Sequence, residues 1–172
     1  MANKLTSKVQ LPMDNYVLRC TEESFGPSKS TGNPMITLKF EIVAPDQIKV
    51  GSEDYVTAGV AVNPHYAVTK SMDQDGNVDL EKSENNKKRV EDLYNKFGMP
   101  APSDLDNPTL GFVGKLVWAL VKSEVVEKRR APTAEQLKAG QRYGDVMKNP
   151  IDGKPLVSYY PKIEEIFGVA TI

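Results

Sequence analysis

The chain has 172 residues, 40% hydrophobic and 26% charged, with a formal net charge of −1, one cysteine and one histidine. That length encloses the core of a single domain, and the balance excludes disordered and collagen-like classes. The longest apolar run, Leu116 to Val121, is too short to cross a bilayer.

One cysteine excludes an internal disulfide, and with one histidine it leaves no zinc cluster of the usual spacing. Cys20 is read as a packing residue. Lys4 and Lys8 precede no apolar signal core, so the expected location is the cytoplasm, with no membrane partner. No cofactor or metal is expected.

In chain order, Asn15 to Cys20 reads as a first strand, and Ser28 to Pro34 as a polar loop carrying Lys29. Ile36, Leu38, Phe40 and Ile42 alternate with Thr37, Lys39 and Glu41, the period of a second strand with one buried and one wet face. Ala44-Pro45-Asp46 ends it. Tyr55 to Val62 offers a third strand by its β-branched and aromatic content, with Gly59 marking a bulge or bend and Asn63-Pro64 closing it.

Ser83 is the expected N-cap of an amphipathic helix in which Val90, Leu93, Tyr94 and Phe97 share one face, with Gly98 and Pro100 as stop signals. A fourth strand is predicted over Gly114 to Val125. There Val117, Ala119 and Val121 form one stripe and Leu116, Trp118 and Leu120 the other. If the small, branched stripe is inside, Trp118 is exposed. A polar insertion, about 127–154, follows with a short helix at Thr133 to Ala139 and a turn at Asp152 to Pro155. Leu156 to Ile163 is the fifth strand, and Pro161 within it argues for an edge or a bulge.

The order β-β-β-α-β-β predicts a mainly β protein: one five-stranded OB-fold-like barrel with a helix between strands three and four and a long basic insertion between strands four and five. The whole chain, 1–172, is then one domain with its core at about 9–166.

Enzyme chemistry finds little support. A serine or cysteine nucleophile needs a positioned base, and His65 beside Pro64 lacks any supporting signature. Gly111 to Leu116 lacks the glycine spacing and the Ser/Thr of a phosphate loop. Asp73, Asp75, Asn77, Asp79, Glu81 and Glu84 have the spacing of calcium-loop ligands, but Gly76 comes two places early and no helix precedes them, so a solvated acidic turn is the reading.

Charge is segregated along the chain. Residues 112–162 hold ten Lys/Arg against five Asp/Glu, while the remainder holds twelve against eighteen. A basic surface on a near-neutral protein follows. Single-stranded nucleic acid needs a cationic groove for phosphates and aromatic faces for unpaired bases. In an OB-fold that groove is lined by strands two and three and the loops joining strands one to two and four to five. The phosphate candidates there are Lys29, Lys39, Lys115, Lys122, Arg129, Arg130 and Arg142. The stacking candidates are Phe25, placed at the first hairpin's tip, Trp118, Tyr143 and Tyr159; Tyr159 and Tyr160 point to opposite faces, so one of them is outside.

Asn15-Tyr16, then Lys29-Ser30-Thr31-Gly32-Asn33-Pro34-Met35-Ile36 and the alternating residues to Ile42, resembles the opening hairpin of phage-type single-stranded DNA-binding proteins of the OB-fold. Gly114-Lys115 is a weaker echo. The resemblance implies non-catalytic, sequence-tolerant coating of exposed strands in DNA replication, recombination and repair. It also implies an acidic tail that recruits partner enzymes; here Ile163 to Ile172 carries only Glu164 and Glu165. A homodimer is a further expected partner. The alternative reading is a phage structural or assembly protein, or a protein-interaction barrel using the stripe around Trp118; a second is a nuclease or repair accessory enzyme.

Overall fold

The computed structural model describes all 172 residues. In chain order the elements are β1 (Asn3–Lys4), β2 (Asp14–Pro27), β3 (Pro34–Ala44), β4 (Gln47–Val50), β5 (Glu53–Val56), β6 (Ala61–Val68), α1 (Leu80–Lys96), β7 (Leu116–Glu127), α2 (Ala134–Lys138) and β8 (Val157–Val169). The protein is mainly β. Five long strands form one sheet in the order β6-β3-β2-β7-β8, and β1, β5 and β4 form a small second sheet.

Every neighbouring pair in the large sheet is antiparallel. It coils until its edge strands β6 and β8 lie against each other without ladder hydrogen bonds, so no closed hydrogen-bonded barrel forms. α1 packs at this seam, against both edges.

The inner face follows the alternation in the sequence. Ile36, Leu38, Phe40 and Ile42 of β3 are buried with Tyr16, Leu18 and Cys20 of β2 and Val117, Ala119 and Val121 of β7. Burial pushes the Cys20 thiol pKa up to about 12, helped by the nearby charge of Glu23. Val90, Leu93, Tyr94 and Phe97 close the core from the helix side. Phe112 sits edge-on to both Tyr94 and Phe97, with ring centroids 4.8 Å away in each case. The turn that delivers Phe112 is held by Glu23, whose carboxylate accepts from the backbone N–H of Gly111 at 3.0 Å and of Phe112 at 2.7 Å.

Several expectations are corrected. The eight strands exceed the five predicted by three: Gln47–Val50 and Glu53–Val56 pair as a hairpin that the polar flanking residues conceal, and the two-residue β1 pairs alongside β5. Tyr55 to Val62 is not one strand: the N–H groups of Thr57 and Ala58 both turn back to the Asp46 carbonyl, and Gly59 takes φ 79°. The third long strand starts at Ala61 and runs through Pro64. A proline is tolerated there because β6 is an edge strand and the ladder is irregular between Leu38 and Phe40, which pair with His65 and Val62.

The helix N-cap is Asp79, which accepts from the Lys82 N–H at 3.0 Å. Ser83 is inside α1, and its hydroxyl is engaged instead with the backbone of Ser71, accepting from its N–H and donating to its carbonyl. The acidic stretch before α1 is a turn in which the Asp73 carboxylate accepts from the N–H groups of Asp75 and Asn77. Ile163 to Val169 belongs to strand β8, which extends past the predicted end at Ile163.

The short helix in the insertion is present as α2. Thr133 and Gln136 cap it reciprocally: the Thr133 hydroxyl accepts from the Gln136 N–H, and the Gln136 side chain accepts from the Thr133 N–H. Around it the insertion laces into a knob. The Lys128 N–H donates to Leu156, Leu156 to Met147 and Met147 to Lys128, each at 2.8 Å. Gly144 lets the chain cross closely here, since a Cβ would lie 2.6 Å from the carbonyl oxygens of Arg130 and Ala131.

Candidate nucleic-acid interface

The wet face of β3 opens onto a cavity of about 640 Å³ that spans β2, β3 and β6 and the hairpin tip joining β2 to β3. Its floor is a cross-strand row, Ser24-Thr37-Tyr66, set by the registers Ser24↔Thr37 and Thr37↔Tyr66. Tyr66 is 56% exposed, the most accessible aromatic side chain on the large sheet. Lys39 and Lys29 lie to either side of this row, on the next outward position of β3 and on the hairpin tip, and both line the cavity.

Tyr66 was missed by sequence reasoning because Asn63-Pro64 reads as a strand end. The signal that finds it is the continued alternation of His65 and Ala67 with Tyr66 and Val68 beyond the proline.

Phe25 is not at the hairpin tip, which lies at 28–33, and it is not exposed. Between Cys20 and Glu22 the β2 ladder carries an irregularity that leaves Thr21 without a partner on β3. The extra residue shifts the parity, so Glu22 and Ser24 face outward with Lys39 and Thr37, while Phe25 shares the inner face with Ile36 and packs, half-buried, against the core, with part of it lining the end of the groove.

Trp118 is 42% exposed, so the small, branched stripe of β7 is the inner one. It lies opposite Val17, whose other partner is Ala44. Ala44 and Thr37 lie seven positions apart on β3, so Trp118 lies about 20 Å along the sheet from the Tyr66 groove. Val17 is fully buried although its parity puts it on the outer face.

Of the other aromatic candidates, Tyr143 is 62% exposed in the insertion, with the Arg142 guanidinium 5.9 Å from its ring centroid. Tyr159 is half-buried, its N–H donating to the Ser7 carbonyl in a crevice shared with Leu5 and Leu11. The exposed member of that pair is Tyr160.

The seven cationic candidates divide into separate groups. Asp14 pairs with Val121 and Arg19 with Leu116, so β7 runs past the start of β2 toward the insertion, whereas Lys29 lies past its end. Lys29 and Lys39 are therefore at one end of the sheet and Arg129, Arg130 and Arg142 beyond the other. Lys115 lies between them, its carbonyl accepting from the Cys20 N–H. Three of the seven are in ion pairs: Lys39 with Glu22 at 2.6 Å, Lys122 with Glu164, and Arg129 with Glu127 at 3.7 Å. Arg129 also donates to the Gly144 carbonyl. Lys29, Lys115, Arg130 and Arg142 have no carboxylate within 4.0 Å. The hydrogen bond and charge of Glu22 raise the Lys39 pKa above its usual value, so this lysine is a cation at any physiological pH.

The remaining chemistry is sparse. His65 lies in a cavity of about 340 Å³ at the seam of β6, α1 and β8. No group of three or more His, Cys, Asp or Glu side chains converges as a metal site, and no helix is long and apolar enough to cross a membrane. No protein-family model, curated protein or solved structure matches the chain.

Proposed function

We propose that this protein is a non-catalytic, sequence-tolerant single-stranded DNA-binding protein of the phage type, serving replication, recombination and repair. The observation that carries the reading is the groove on the outer face of β2, β3 and β6, where the accessible ring of Tyr66 lies between Lys29 and Lys39. A stacking platform flanked by ammonium groups is what unpaired bases and their phosphates require. The large sheet supports it: three antiparallel strands, a helix and two more strands, with the first long strand central, is the element order of an OB-fold opened along one seam. In that frame the groove and the basic insertion correspond to the two parts of an OB-fold ligand surface.

Lys29 and Lys39 contact phosphates beside Tyr66, and Lys115 lies on the path toward Arg130, Arg142 and Tyr143. The test is fluorescence anisotropy of a labelled oligo-dT at two salt concentrations, with a duplex of equal length alongside. Tight, salt-sensitive binding to the single strand and weak duplex binding is the expected result. The exposed Trp118, with Phe167 exposed near it on β8, favours the second reading, a protein-interaction barrel. Absence of binding to either nucleic acid at low salt selects that reading.

A further inference from the structure

Every cation carried by a strand of the large sheet is matched by a carboxylate on the adjacent strand. Arg19 of β2 faces Glu41 of β3 at 3.4 Å, Lys39 of β3 faces Glu22 of β2 at 2.6 Å, Lys122 of β7 faces Glu164 of β8, and Lys162 of β8 faces Glu124 of β7 at 3.9 Å. The unpaired cations are off the large sheet: on the hairpin tip, the turn before β7 and the insertion, and, away from the groove, on the N-terminal segment (Lys4, Lys8) and α1 (Lys87, Lys88, Arg89). The groove's strand-borne lysine, Lys39, is thus already ion-paired in the free protein.

We propose that Glu22 is an internal competitor for nucleic acid: its carboxylate occupies Lys39 in the place a phosphate takes on binding, and so limits the affinity of the groove. This rests on the reading of the groove as a single-stranded DNA site. Glu22 and Lys39 are an outward-facing cross-strand pair, so the carboxylate lies on the groove's face of the sheet, beside Lys39 and just outside the residues that line the cavity. The Glu22 side chain is 64% exposed and makes no other hydrogen bond or ion pair, so nothing holds it in place once a phosphate arrives. A phosphate that reaches Lys39 displaces Glu22 and then lies beside a free negative charge. Affinity is held down while on-rate, set by the unpaired cations, is not.

The test is a double-mutant cycle on oligo-dT affinity with E22Q, K39A and the double variant, and E84Q, an equal charge change on the exposed face of α1, as control. E22Q is expected to bind about three- to fivefold more tightly than wild type, the worth of releasing one exposed ion pair. Its salt slope should steepen by up to about 0.7, the counterion release per phosphate on a single strand. K39A should cost little in the wild-type background and abolish the gain in the E22Q background.

The proposal is overturned if E22Q matches E84Q, or if K39A costs the same in both backgrounds. Wild-type binding with an unresponsive E22Q overturns the competitor alone. Failure of both wild type and E22Q to bind at low salt overturns the groove reading with it.

Discussion

Replacing Tyr66 by alanine separates the groove's role in binding from its role in folding. The ring is 56% exposed, so roughly 90 Å² of a side chain of about 200 Å² is covered by the protein. At about 25 cal/mol per Å² that burial is worth at most about 2 kcal/mol, less for a compact denatured state. The variant therefore remains folded, with a Tm a few degrees below wild type. If one base stacks on the ring, its loss removes about 1–3 kcal/mol of binding, a fall of about 5- to 150-fold in affinity.

The assay is oligo-dT anisotropy at fixed salt, with circular dichroism confirming the fold at the temperature used. The salt slope should be unchanged, because no charge is lost. Tyr66→Phe keeps the ring and should bind within about twofold of wild type, since stacking needs the π-face and not the hydroxyl. A folded Tyr66→Ala protein that binds as tightly as wild type would refute the assignment of Tyr66 as the platform. A Phe variant as weak as the Ala variant would move the role from the ring to the hydroxyl.

Phe112→Ala removes the ring wedged between Tyr94 and Phe97 and is expected to cost about 3–5 kcal/mol, lowering Tm by roughly 6–20 °C in a thermal melt. Gly144→Ala forces a Cβ to within 2.6 Å of two carbonyl oxygens, so the knob at 128–156 must rearrange. Limited proteolysis should then cut within the insertion while the main melting transition stays near that of wild type. Burial, and secondly the charge of Lys96, holds the His65 pKa below 6.5. The unfolded chain then takes up a proton at higher pH than the folded one, so the stability held above pH 6.5 is lost as pH falls through the folded value. Wild type should therefore lose more Tm than His65→Gln between about pH 7 and pH 5.

What the sequence made legible was local. The buried face of β3 and the apolar face of α1 depend on residues a few positions apart and lie where the periodicity puts them, and the short helix α2 lies within the expected span Thr133 to Ala139. The misreadings arise where one residue changes parity or pairing at a distance. Thr21 interrupts the β2 ladder and turns Phe25 inward; the irregularity at Pro64 lets β6 continue and brings out Tyr66. The alternation beyond Pro64 is masked by the proline that reads as a strand end, while the Thr21 irregularity has no marker within its own strand, because the partner strand decides which residue is left over. The ion pairs are hidden for the same reason. Glu22 and Lys39 are 17 positions apart in the sequence and meet only through the hairpin register. A count of lysines and arginines therefore located a basic segment but not which cations are free.

The central claim is that single-stranded DNA lies across the outer face of β2, β3 and β6. Photocrosslinking of a halogenated deoxyuridine oligonucleotide to the intact protein, with the modified residue identified by mass spectrometry, tests it most directly. The account predicts a crosslink at Tyr66, reduced by added salt and competed by unlabelled oligo-dT. Crosslinks confined to Trp118 or the exposed face of α1, or none under conditions in which the oligonucleotide binds, would contradict it.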